Sequence, residues 1–243
     1  EGGGVEVNGR GTIIANATLW RERNRGLSRE AIEKHLLALP GMRKAVWVPH
    51  GLAHDPFNAL VAPRPIGWIS SQDSTGQLNL APYSFFNAFN YTPPIIGFAS
   101  SSYKDTVRNI EQTGEFCWNL VTKPLAEAMN QTSAAVAPDV DEFALAGLTA
   151  KASSLIKVPH VAQSPVTFEC KLSQVLQLTA ADGSKITTWM VFGEVVGVHI
   201  AKHLLVNGIY DTAAAQPVLR GGGTGDYFVA DVATRFQMFR PKV

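Results

Sequence analysis

Apolar and polar positions along the chain follow two different rhythms, and the change falls near residue 55. Ahead of it, VEVNGRGTIIANATL alternates around Asn8 and Gly9, a pair that favours tight turns, and predicts a hairpin. SREAIEKHLLAL follows, with Ser28 placed as an N-cap, Ile32, Leu36 and Leu39 at helical spacing, and Pro40 and Gly41 as a stop. That pattern predicts an amphipathic helix. KAVWV adds a short strand, so residues 1–55 read as a small α+β segment of hairpin, helix and strand.

Residues 56–243 change to alternating, β-branched and aromatic runs separated by Gly, Pro, Asn and Ser. Strands are predicted at RPIGWISS, QLNLAPYS, PPIIGFAS, EFCWNLVT, PVTFECKLSQVLQL and ITTWMVFGEVVGVHI, the last two joined by the turn AADGSK. Only KDTVRNIEQ and PLAEAMNQTS read as helical, the second opening on Pro124, where proline suits a first turn. Six strands with short turns and few helices predict a mainly β domain, closed or nearly closed into a barrel.

Composition narrows the function classes. Hydrophobic residues make up 46% and charged residues 17% of 243, enough apolar side chains for a full core. A net charge of +1 argues against nucleic acid or an anionic membrane as the main partner. No apolar run approaches the length of a membrane span, and the first residues lack the pattern of a secretory signal. The chain opens on Glu1 rather than methionine, which leaves room for residues ahead of it. Cys117 and Cys170 stand apart in separate strands, and the six histidines form no HxH or HxxxH pair. The expectation is a soluble protein of a reducing cytoplasm, without a metal site.

Candidate chemistry gathers between Arg64 and Thr106. Lys104 and Thr106 stand where a helix begins after a serine-rich turn, an arrangement that suits a phosphate and serves equally well as plain capping. Arg64 offers a fork of donors, or a charged residue on a strand edge. Trp68, Tyr83, Phe85, Phe86 and Phe89 provide flat surface for an aromatic ligand or for a core. Ala81, Pro82 and Ser84 suit a backbone that approaches a ligand closely, and Asn87 offers an amide to a ring's polar edge. Cys117 alternates with Phe116 and Trp118 and reads as a core or interface thiol; Glu169 and Glu194 read as solvated strand positions. His199 reads as a hydrogen-bonded strand residue.

The segments NALVAPRPIGWISS, NLAPYSFFNAF, KDTVRNI, EFCWNLVT, VDEFALAGLT and GEVVGVHI, in that order, resemble the flavin-reductase-like FMN-binding family, which includes the reductase components of two-component monooxygenases. The resemblance covers about Phe57 to Val243. It implies a split β-barrel that works as a homodimer and holds FMN near the subunit interface. Arg64, Ser100, Lys104 and Thr106 would meet the phosphate, and the ring would be met by the backbone around Trp68, Ile69 and Ser70, with Pro65 and Gly67 ahead of it, and by the run Ala81 to Asn87. Tyr227, within RGGGTGDYF, takes the place of a tyrosine that approaches the flavin in relatives, although the loop here is richer in glycine. NADH or NADPH would donate hydride, and reduced flavin would pass to a monooxygenase partner. The alternative is an FMN-binding or storage protein without efficient nicotinamide turnover.

EGGGVEVNGRGTIIANATLWRERNRGLSREAIEKHLLALPGMRKAVWVPHGL resembles another family, the agmatine deiminases of the pentein fold, in which the glutamate matching Glu1 helps hold a guanidinium. The downstream histidine–aspartate motif and the cysteine nucleophile of that family have no counterpart here. Without an attacking group, amidine hydrolysis is not expected.

Overall fold

A computed structural model describes residues 5–7, 12–16, 26–48, 57–223 and 225–241. The chain divides into two compact units, Glu1–Val61 with Gly222–Thr224, and Ala62–Gly221 with Gly225–Val243.

In the first unit, β1 (Val5–Val7) pairs antiparallel with β2 (Thr12–Asn16), which pairs parallel with β3 (Lys44–Val48). Helix α1 (Arg29–Leu37) lies between β2 and β3 in sequence, as the parallel pairing requires of a crossover. Ser28 caps it as expected, its hydroxyl accepting from the Ala31 N–H at 3.2 Å, and Ile32 and Leu36 are buried. Leu39 is half exposed, because the helix ends at Leu37 and the third apolar position falls in the turn beyond. The turn at Asn8 and Gly9, and Glu1 itself, lie outside the described residues. Helix α2 (Phe57–Leu60) is a single turn.

The second unit is mainly β. Strand β4 (Arg64–Pro65) leads into β5 (Gly67–Gln72), β6 (Leu78–Tyr83), β7 (Phe86–Tyr91) and β8 (Pro94–Ser100). Helix α3 (Asp105–Thr113), β9 (Glu115–Asn119), α4 (Ala126–Gln131) and α5 (Glu142–Leu145) follow. Short strands β10 (Ala150–Lys151) and β11 (His160–Val161) precede the long β12 (Val166–Thr179) and β13 (Lys185–Ile200). A small hairpin, β14 (Leu205–Val206) and β15 (Ile209–Tyr210), comes before β16 (Val218–Arg220) and β17 (Tyr227–Val229).

Seven of these strands form one sheet in the order β6-β5-β9-β12-β13-β8-β7. All six predicted strands contribute to it, although RPIGWISS breaks at Ile66 and its Arg64–Pro65 end pairs in another sheet. The seventh, β7, carries Asn87 and Asn90, poor strand formers, and is held as an edge strand by pairing with β8, Phe86 opposite Phe98. Both faces of β5 are covered. Ile69 packs with Val107 and Ile110 of α3, while Trp68 faces Leu80, Met129, Phe143 and Val218. Burying side chains of this size stabilises by about 2 kcal/mol each. A second sheet, β17-β16-β4, places Arg220 between Arg64 and Tyr227 in register.

Glu169 departs from its expected place on a solvated strand face. It is fully buried, whereas Glu194 is exposed as expected. The short β10 and β11 and the loop between them fold over its side of the ribbon, and local alternation does not reveal such a cover.

Candidate functional site

Pairing of β5 with β6 sets Gly67 opposite Tyr83, Trp68 opposite Pro82 and Ile69 opposite Ala81, so the two runs expected at a flavin ring are adjacent. Gly67 is required there, since a Cβ would lie 2.8 Å from the Phe86 ring. Beside β6 is a cavity of about 340 Å³ lined by Asn79, Ala81, Pro82, Tyr83, the start of α3 from Lys104 to Thr106, residues 132–136 and Glu142.

The mouth of α3 supplies the positive end of this cavity. Lys104 occupies the N-cap position with extended backbone, and its side chain makes no capping bond. The first-turn N–H groups thus lack the usual side-chain acceptor, and together with the dipole and the ammonium they favour an anion. Thr106 is buried, and its Oγ1 accepts from Asn79 Nδ2 at 2.8 Å, which leaves the hydroxyl proton as the group's remaining offer.

Two carboxylates also line the cavity, and both are engaged. Asp105 pairs with Arg108 at 2.6 Å. Glu142 accepts from the Leu80 N–H at 3.0 Å, and burial pushes its carboxyl up despite that bond. Burial likewise lifts the Tyr83 hydroxyl to about 12, against the pull of Thr106 and Ser100, so it stays neutral. Asn79 and Glu142 escape sequence reasoning. Their only signals are a lone amide between Leu78 and Leu80, and an acid in the first turn of a short helix.

The other expected residues do not line this cavity. Arg64 is buried, with Nε donating to the Ser84 carbonyl at 3.1 Å and Nη2 to the Gly221 carbonyl at 3.2 Å. Burial, and then Arg220 opposite it, lower its pKa. Phe85 lies 5.5 Å from the guanidinium and is partly exposed; Pro65 follows Arg64 in the two-residue strand β4. Tyr227 is 42% exposed and lies 4.9 Å from the Arg220 guanidinium. Asn87 is exposed on β7, its Oδ1 accepting from the Ala88 N–H.

Several of the candidate aromatic rings pack on protein. Trp68 is fully buried, its Nε1 donating to Thr132 at 3.0 Å, so its ring belongs to the core. Phe86 stacks on Trp118 with centroids 5.6 Å apart. Phe89 meets Phe192 edge to face. Ser70 is buried, with its hydroxyl donating to the Pro159 carbonyl, and Ser100 donates to the Ser102 carbonyl. Ser70 thus ties the middle of β5 to the segment ahead of β11, and Ser100 closes the turn after β8.

A separate polar cluster lies around Glu169. Its carboxylate accepts from the N–H groups of Ser154 at 2.7 Å and Leu155 at 2.6 Å, and pairs with His199 Nε2 at 2.5 Å. Burial opposes ionisation, but those three partners together hold the carboxyl below the usual range. His160 stacks on His199 at 5.1 Å, and burial, with His199 beside it, lowers its pKa. His199 is therefore hydrogen-bonded, as expected. Cys117 is buried against Ile156 and Val158, and burial pushes its thiol up to about 12, which suits a core thiol. No helix among the described residues is long and apolar enough to cross a membrane.

Comparison with known proteins assigns the two parts of the chain to families. Residues 60–216 match the flavin reductase like domain, and residues 1–61 match the Porphyromonas-type peptidyl-arginine deiminase family. An uncharacterised protein of Halalkalibacterium halodurans is 34% identical over 67% of this chain and 80% of its own length. Component B of a nitrilotriacetate monooxygenase from Bacillus cereus superposes with a TM-score of 0.70 at 31% identity, over 75% of this chain and 90% of that one. A 2-nitrobenzoate 2-nitroreductase of Pseudomonas fluorescens gives 0.67 at 31%, over 76% and 88%. An agmatine deiminase homologue of Streptomyces coelicolor is 46% identical over 57 residues, 23% of this chain and 17% of that protein. With its split barrel and a family match over most of its length, this chain belongs to the flavin reductase like family, carrying ahead of that domain a short deiminase-like segment.

Proposed function

We propose that the cavity at the start of α3 takes the phosphate end of FMN, and that the chain is an NAD(P)H:flavin oxidoreductase. The observation that carries this reading is the uncapped N-terminus of α3, with Lys104 and Thr106 beside the Ala81–Tyr83 backbone in one cavity. The donor set fits a phosphate, and Ala81 and Pro82, with Ala134, Ala135 and Val136, fit the less polar remainder. Bound flavin would supply a two-electron acceptor for a hydride from NADH or NADPH. Lys104 and the α3 N–H groups bind, Thr106 orients through its bond from Asn79, and the buried Tyr83 and Glu142 close the inner wall.

The relationship to component B of a monooxygenase supports a further role, supply of reduced flavin to a partner enzyme. A homodimer is supported by the apolar side chains exposed on β7 and near the C-terminus, Phe89, Tyr91, Phe236 and Phe239. Two buried free cysteines accord with a reducing cytoplasm. The deiminase-like segment, residues 1–55, is proposed to be a fusion or remnant without hydrolytic activity, since it matches only 17% of a deiminase. Titration with FMN and riboflavin tests the phosphate assignment. FMN is expected to bind more tightly, and equal affinities would contradict it.

A further inference from the structure

Arg64 stands out because its guanidinium reaches two separate stretches of main chain. It is 8% exposed, and two different nitrogens of its guanidinium donate to carbonyls far apart in sequence, those of Ser84 and Gly221. Ser84 follows the cavity-lining end of β6, and Gly221 opens the glycine loop that leads to Tyr227. That loop is closed by the Gly221 N–H donating to the Asp226 carbonyl at 2.8 Å. Arg220 donates to the same carbonyl at 2.8 Å. Two arginines paired across strands repel unless each meets an acceptor, and here each does.

We propose that Arg64 is a positioning residue, a rigid tie that holds the turn after β6 and the end of β16 at Gly221 as one unit. Rigid, planar and many-handed, a guanidinium can bond two carbonyls in different directions, whereas an ammonium presents a single point charge. The consequence for ligand binding rests on the flavin reading of the neighbouring cavity. Under it, Arg64 acts on the whole flavin through the backbone it holds, and the phosphate is met by Lys104 and α3.

Two readouts test the tie in the full chain. The first is hydrogen exchange at the Ala99 N–H, which bonds the Phe85 carbonyl beside Ser84, and at the Gly221 N–H. In Arg64→Ala both amides are expected to exchange about tenfold faster or more, while amides in the middle of β12 keep their protection. Arg64→Lys is expected to restore one of the two at most. Acceleration of one amide alone, or of neither, would overturn the tie, and the lysine variant decides the same point if the alanine variant does not fold. The second readout is the affinity of each variant for FMN and riboflavin, expected to fall by the same factor, about tenfold. A larger fall for FMN would make Arg64 a phosphate ligand and overturn the positioning role. Wild-type protein that binds neither flavin would sink the flavin reading instead, and the exchange result would still decide the tie.

Discussion

The Nε2 of His199 lies 2.5 Å from Oε1 of Glu169, joining neighbouring strands of the long β12/β13 ribbon around a carboxylate that has no exposure to solvent. The same carboxylate holds the Ser154 and Leu155 N–H groups, so the loop between β10 and β11 hangs on one side chain. Glu169→Gln keeps the shape but offers one carbonyl oxygen where two carboxylate oxygens served. A buried donor is left without its partner, and the loss is expected to be about 2 kcal/mol, read as a lower urea midpoint with unchanged slope.

The same contact sets an acid limit. The folded Glu169 carboxyl is held below the unfolded value of about 4.3. Its contribution is therefore complete above that unfolded value and is lost as pH falls through the lower folded one. Stability measured across the acid range is expected to decline in wild type and to decline less steeply in Glu169→Gln. Identical profiles would show that this carboxylate does not govern the loss.

At the cavity, Lys104→Ala removes an exposed charge whose side chain makes no capping bond to α3. FMN affinity is expected to fall by about tenfold or more, with riboflavin little changed, because only FMN carries the phosphate. Fluorescence titration of both flavins checks this.

Packing makes a prediction independent of ligand. A Cβ on Gly193 would lie 2.3 Å from the ring of Phe116, which is itself fully enclosed. Gly193→Ala is expected to cost about 1–3 kcal/mol. Adding Phe116→Leu should recover part of that loss, measured by the same denaturant midpoints, whereas additive losses would contradict the clash.

Where a pattern is local, the sequence was readable. The Ser28 cap, the pair Ile32 and Leu36, and the six strands need only spacing and turn residues. Strand β7 was not readable, because its asparagines weigh against a strand and its pairing with β8 is what holds it. In the site, Lys104, Thr106 and Ala81–Tyr83 could be named because a helix start and a strand end are local features. Asn79 and Glu142 could not, since what brings them to the cavity is the seating of a short helix against β6. Trp68 shows what spacing alone leaves open. An aromatic in a candidate binding run has the same appearance in sequence whether its ring faces a ligand or, as here, Thr132 and the core.

The central claim is that this flavin reductase like domain binds flavin at the α3 cavity and passes electrons to it from a nicotinamide. An anaerobic visible spectrum of the full chain with FMN, recorded before and after NADH and then NADPH, tests it most directly. The prediction is a flavin band altered by the protein and bleached by at least one of the two nicotinamides. A flavin spectrum unaffected by the protein, with neither nicotinamide oxidised, would contradict it.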